Sequence, residues 1–227
     1  MNKEWSELNK TMQLQLRKKD TFNDGIKTLY ELRKKIMEEI VSFKKSLTEE
    51  DLCAMPFPKA EGYHSKTVAY SLWHIFRIED IVAHTLINGD EQVLFTGNYK
   101  ERTRSPIITT GNELEGQQIA EFSRLLDIEE LYKYINDVKN STDGILRSLK
   151  YDVLKRKIPS ERREDLCKLN VVSSTENAVW LVDYWCNKDI RGLIQMPFSR
   201  HWIMHTEACI RICDKIIDLR NKRGANK

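Results

Sequence analysis

Glycine and proline are scarce in this chain, at 9 and 5 of 227 residues, and β-branched alternation is nearly absent. Those shortages argue against a strand-rich fold and leave helical periodicity as the dominant signal. Five cysteines (Cys53, Cys167, Cys186, Cys209 and Cys213) form an odd set without a Cys-x-x-Cys pair. That pattern excludes a disulfide framework and a zinc ribbon. Long apolar runs are missing too: Ala178–Val182 is among the longest, so no segment is expected to span a membrane. The N-terminal stretch MNKEWSELNK lacks the apolar core of a secretory signal, and the expected location is cytoplasmic. Charge of one sign is lacking as well, with 37 basic against 34 acidic residues and a formal net of +3. A dedicated nucleic-acid binder carries a larger and more clustered excess, so no nucleic-acid partner is expected. Basic groups such as Arg17-Lys18-Lys19 and Arg33-Lys34-Lys35 read as solvated helix faces. No glycine-rich phosphate loop, nucleophile elbow or His-Glu-x-x-His motif occurs.

What is present is a succession of long amphipathic segments. The first runs from near Thr21 to Ser46, burying Ile26, Leu29, Tyr30, Ile36, Ile40 and Phe43. A Pro/Gly turn, MPFPKAEGYHS, separates it from a second helix at about Lys66–Ile87. The irregular stretch Asp90–Glu113 follows. Its Phe95, Tyr99, Ile107 and Ile108 need cover, which predicts packing at the mouth of a site or at a dimer interface. A short helix around Glu115–Leu125 leads to a third long one. Asp127 and Glu130 read as its capping box, and it continues to about Leu149. A second box, Ser173 to Glu176, opens a segment that stops at Gly192, and Pro197 suits the first turn of a last helix reaching about Lys222. The expected fold is all-α: a four-helix bundle with a long crossover and short extra helices, one domain over residues 1–227.

The chemistry concentrates in three histidines. His201 and His205 are four residues apart, and Ile212, Ile216 and Leu219 fall within about 60° of His201 on a helical wheel. Two imidazoles on one apolar stripe can reach a single metal ion. If Pro197 opens the helix, His201 lies near its positive dipole end, which favours the neutral, ligating form. His74 adds a third imidazole from another helix, in a stripe with Thr67, Ile78, Ile81 and Thr85, all within about 40° of it. Three such ligands leave coordination positions open, as catalytic sites do. Other residues carry weaker signals. His84 lies about 80° off the His74 stripe and His64 sits in the Pro/Gly turn; both read as surface or capping residues. Cys209 and Cys213 extend the ladder of the last helix, and Cys209 is a possible extra ligand, although helical cysteines are usually small core residues. Glu79, Asp80 and Glu207 point away from the histidine stripes and read as members of surface pairs. Trp73, Trp180, Trp185 and Trp202 read as core or interface packing.

A single His in SLWHIFRIED, followed more than a hundred residues later by His-x3-His at the head of the last helix, resembles the DinB/YfiT-like superfamily. The resemblance spans roughly Asp20 to Leu219. It implies a four-helix bundle with a three-histidine metal site at His74, His201 and His205. Many members follow the second His of the pair with Arg-Gly-Gln, whereas this chain has Thr206, Glu207 and Ala208, and its motifs are more widely spaced than in compact members. Members include thiol-dependent S-transferases, so the resemblance implies a metal-dependent enzyme performing thiol transfer. A hydrolase, or a non-enzymatic metal-binding stress or interaction protein, is the alternative. The expected cofactor is a divalent metal, zinc or nickel before copper or iron. The expected partners are a small-molecule substrate and a low-molecular-weight thiol, with a homodimer left open. No residue is assigned as catalytic acid or base.

Overall fold

The computed structural model describes residues 2–225 and is all-α. Met1, Asn226 and Lys227, which the single-domain expectation includes, lie outside them. Among the described residues there is no strand, only an isolated bridge between Lys157 and Asp189. No helix among the described residues is long and apolar enough to cross a membrane.

The longer helices are α1 (Lys3–Gln15), α2 (Phe22–Ser46), α3 (Val68–Asp80), α4 (Gln117–Leu125), α5 (Ile128–Ser148), α6 (Ser160–Lys168), α7 (Glu176–Cys186), α8 (Ile190–Gln195) and α9 (His201–Ala225). Helix α3 runs on as a π-helical stretch, Ile81–Asn88, and another, Met196–Arg200, joins α8 to α9. The four longest pack in a ring, α2 on α5, α5 on α3, α3 on α9 and α9 on α2. Helix α1 lies along α2 and buries Trp5 and Met12.

Local chemistry sets several of the boundaries. The Thr67 hydroxyl accepts from the Tyr70 amide at 3.0 Å and opens α3. Asp127 accepts from the Glu130 amide at 3.1 Å and opens α5, but only this half of the expected box forms, because Glu130 is engaged by Arg102 and Lys133. A complete box occurs instead at Thr48 and Asp51. The Ser173 box does not form: α7 starts at Glu176, and the Ser173 hydroxyl turns to Thr175. The segment expected to continue to Gly192 breaks after Cys186 and restarts at Ile190, where Asp189 caps α8 through the Gly192 amide at 2.7 Å.

The interior is two apolar clusters separated by a polar layer. The change from one to the other falls between Leu29 and Leu32 on α2, Phe76 and Ile78 on α3, and Val138 and Ile145 on α5. At that level Arg33 is fully buried and makes two bonds to Glu79, at 2.7 and 2.9 Å, and one to Asp143 at 2.9 Å. Trp202 donates its indole N–H to the same Glu79 at 2.7 Å. Burial opposes the Arg33 charge, but Glu79 and Asp143 more than offset it and hold the guanidinium protonated. Arg77 and Asp80 form a second fully buried pair at 3.1 Å.

These pairs correct the surface reading of Arg33, Glu79 and Asp80. Every residue of α3 is buried, so the helix has no solvent face on which a charge could lie. His84 is likewise buried, bonded to Asp90 at 2.7 Å and Ser141 at 3.0 Å. Glu207 is half-buried and accepts from the Asn2 amide. A buried ion pair of this kind adds little net stability over a well-packed apolar replacement, but removing one partner strands a buried charge.

Candidate metal centre

The stretch Asp90–Glu113, expected to be irregular, carries two four-residue helices, Val93–Thr96 and Tyr99–Arg102, and α3 holds it by four consecutive carbonyls. Arg77 donates to Ile108 at 2.7 Å, Trp73 to Thr109 at 3.2 Å and Tyr70 to Gly111 at 2.9 Å. His74 takes the Thr110 carbonyl through Nδ1 at 2.8 Å. Asp80 secures the other end, accepting from the Val93 and Leu94 amides at 2.8 and 2.9 Å. Gly111 lets the strap lie this close. Its φ of +79° is a conformation L side chains rarely adopt, and a Cβ there would meet the Tyr70 ring at 3.0 Å. The stretch therefore packs beside the histidines, one of the two positions expected for it.

A carbonyl can only accept, so the bond to Thr110 places the His74 proton on Nδ1 and leaves a lone pair on Nε2. That Nε2 stands 3.2 Å from Nε2 of His201. Ring centroids are 5.0 Å apart for His74 and His201, 4.7 Å for His74 and His205, and 4.5 Å for His201 and His205. One nitrogen from each ring lies within 4.8 Å of one from each of the others, so the three could hold a metal ion. Two nitrogens about 2.1 Å from one tetrahedral ion stand about 3.4 Å apart, close to the separation observed between His74 and His201.

Electrostatics suit the same use. All three rings are buried. Burial lowers the His74 pKa to about 4 against the pull of the Thr110 bond, with Lys66 lowering it further. Burial, then His74, pushes His201 well below the ordinary imidazole value; burial and its neighbours do the same to His205. Neutral imidazoles are the ligating form. Nδ1 of His201 and of His205 are buried without a hydrogen-bond partner. Each such nitrogen costs about 1–3 kcal/mol; in His201 the opposite nitrogen, Nε2, is the one that faces His74. The donor set, three neutral imidazoles with Nε2 of His74 and His201 facing one another, fits a divalent ion.

The dipole argument for His201 does not hold. The π-helical turn carrying Pro197 precedes it and joins α9 to α8, so His201 does not open a helix and burial is the leading cause of its neutrality. Cys209 is outside the group; burial raises its thiol pKa to about 12. His64 is near the Arg211 guanidinium instead, at 3.2 Å. Trp73, Trp185 and Trp202 are fully buried as expected, but Trp180 is half exposed. It lies on the rim of a cavity of about 220 Å³ lined by all three histidines. Ile78, Tyr184, Trp185 and Met196 form its apolar wall, and Tyr63 and Asn112 its polar edge. Tyr63, Asn112 and the Thr110 carbonyl were not singled out from the sequence. They come from turns and loops, where no periodicity points a residue in a direction.

No known protein-family model matches the chain, and no curated protein matches it in sequence.

Proposed function

We propose that the chain is a metal-dependent enzyme of the DinB-like kind that transfers a low-molecular-weight thiol to an electrophilic carbon. The observation that carries this reading is three buried, neutral imidazoles converging at the wall of an open, largely apolar cavity. His74, His201 and His205 would hold a divalent ion, zinc or nickel. When bound, it would lower the pKa of a thiol toward neutrality.

The protein's own residues supply the rest. Thr110 fixes the His74 ring and its tautomer. The apolar wall from Ile78 to Met196 excludes water and suits an apolar electrophile. Among the described residues no Asp or Glu lines this cavity, and Glu115, in the pocket on the other side of the cluster, is exposed and accepts from Asn177, which favours transfer over hydrolysis. Cys209, the cysteine nearest the histidines in sequence, is too deeply buried to serve as nucleophile, so the sulfur comes from a free thiol.

In the reaction the thiol loses its proton to solvent, an S–C bond forms, and the leaving group departs with its electron pair. The test uses untagged, zinc- or nickel-loaded protein with cysteine and 1-chloro-2,4-dinitrobenzene, which releases chloride. Thiol-dependent conjugation that disappears in His201→Ala is expected. A rate equal to the protein-free rate across several small thiols would overturn the reading. Thiol-independent turnover of an activated ester would point to a hydrolase.

A further inference from the structure

The histidine cluster opens on two sides. Tyr63, His74, Asn112 and His205 line the apolar cavity and also a second pocket of about 400 Å³, which adds Ser65, Lys66, Tyr70 and Glu115. The walls differ in character, indole and aliphatic groups on one side, and hydroxyl, amide and charged groups on the other.

Lys66 is the unusual member of the second pocket. It is half-buried, and among the described residues no carboxylate comes within ion-pairing distance of it. Its ammonium stands 5.3 Å from the centre of the Tyr70 ring, which in turn stacks on His74 at 5.7 Å. The cation–π contact accounts for the position of the side chain but leaves its N–H donors free to bind. Burial disfavours the lysine charge and exposed Glu115 only partly restores it, so an anion in the pocket would be attracted.

We propose that the Lys66 pocket is an anion subsite for the carboxylate of a ligand whose other end reaches the histidine cluster. Lys66 would pair with the carboxylate, and the Asn112 amide lines the same pocket and can donate to it, whereas the Ser65 hydroxyl is spent on the Gly62 carbonyl. A single cation with Glu115 on the rim matches a monoanion better than a doubly charged phosphate. This deepens the transfer reading and rests on it only for its purpose: one substrate would be a carboxylate bound on the polar side, the other an apolar electrophile bound on the indole side.

The test is calorimetric binding of 3-phenylpropionate and its neutral amide, two probes of nearly the same shape. Each is titrated into the full chain in zinc-loaded and in chelator-treated form. Wild type is expected to bind the carboxylate about tenfold or more tightly than the amide in both forms. Lys66→Met should abolish that preference with helicity and metal content unchanged, and Lys66→Arg should keep it. Equal affinities in wild type, absence of carboxylate binding, or a preference that survives Lys66→Met would overturn the assignment. A preference confined to the zinc-loaded form would overturn it too, since the carboxylate would then be binding the ion. A preference in chelator-treated protein that fails to take up zinc would support the subsite while defeating the metal reading.

Discussion

Mild acid should destabilise the metal-free protein through its three buried histidines. An unfolded imidazole titrates at about 6.5. In the folded chain His74 titrates at about 4, and His201 and His205 lie well below the ordinary value, in each case chiefly through burial. Below pH 6.5 the unfolded chain therefore binds protons that the folded chain refuses. The stability contributed by these groups is complete above pH 6.5 and is lost as the pH falls toward the folded values. His74 alone accounts for about 3 kcal/mol by pH 4, since each pH unit costs about 1.4 kcal/mol per group, and His201 and His205 add to the loss in the same direction. The His74 share alone is a sizeable part of the whole stability of an ordinary domain, about 5–15 kcal/mol. Urea denaturation followed by circular dichroism, with chelator present, measures the slope between pH 6.5 and 5, before ordinary carboxylates titrate. His205→Gln keeps the ring's approximate volume but cannot titrate, so its slope should be shallower, with about 1.4 kcal/mol per pH unit as the ceiling for one group. Parallel loss of stability in wild type and His205→Gln would refute the reasoning.

Three further outcomes are expected. Glu79→Gln leaves the buried Arg33 guanidinium short of its bidentate partner and should cost about 3–5 kcal/mol by urea denaturation, with much of the loss relieved when Arg33→Met is added. Gly111→Ala forces a positive φ on an L residue and crowds Tyr70, so the Thr110 carbonyl shifts off His74; metal affinity by competitive chelation should fall about 10-fold or more although no ligand has changed. In native protein, Ellman's reagent should modify exposed Cys167 quickly but reach buried Cys209 and Cys213 only on unfolding, as peptide mass mapping would show.

The histidine trio was legible from sequence because a helix converts spacing into direction: four residues put His201 and His205 on one side, and the apolar stripe through Ile78 and Ile81 aimed His74 inward. The same wheel failed for Glu79 and Asp80. It assumes one wet face, and α3 is enclosed on every side, so its charges had to find the buried partners Arg33 and Arg77 from α2 and from α3 itself. The π-helical stretch after Asp80 departs from the 3.6-residue period and carries His84 into the interior. Helix α1 was missed because only Trp5 and Met12 are buried in an otherwise polar stretch, and α6 because only Leu166 is buried. The strap was located as irregular sequence, but its bonds to α3 run through backbone carbonyls, which carry no residue identity.

The most direct test of the central claim is metal stoichiometry. Untagged protein, incubated with zinc or nickel and freed of excess, is analysed by inductively coupled plasma mass spectrometry beside His74→Ala and a His74→Ala, His205→Ala double variant. One tightly held ion per chain in wild type is expected, sharply reduced in the single variant and absent from the double variant, with helical circular dichroism retained throughout. Equal metal content in wild type and the double variant would contradict the claim.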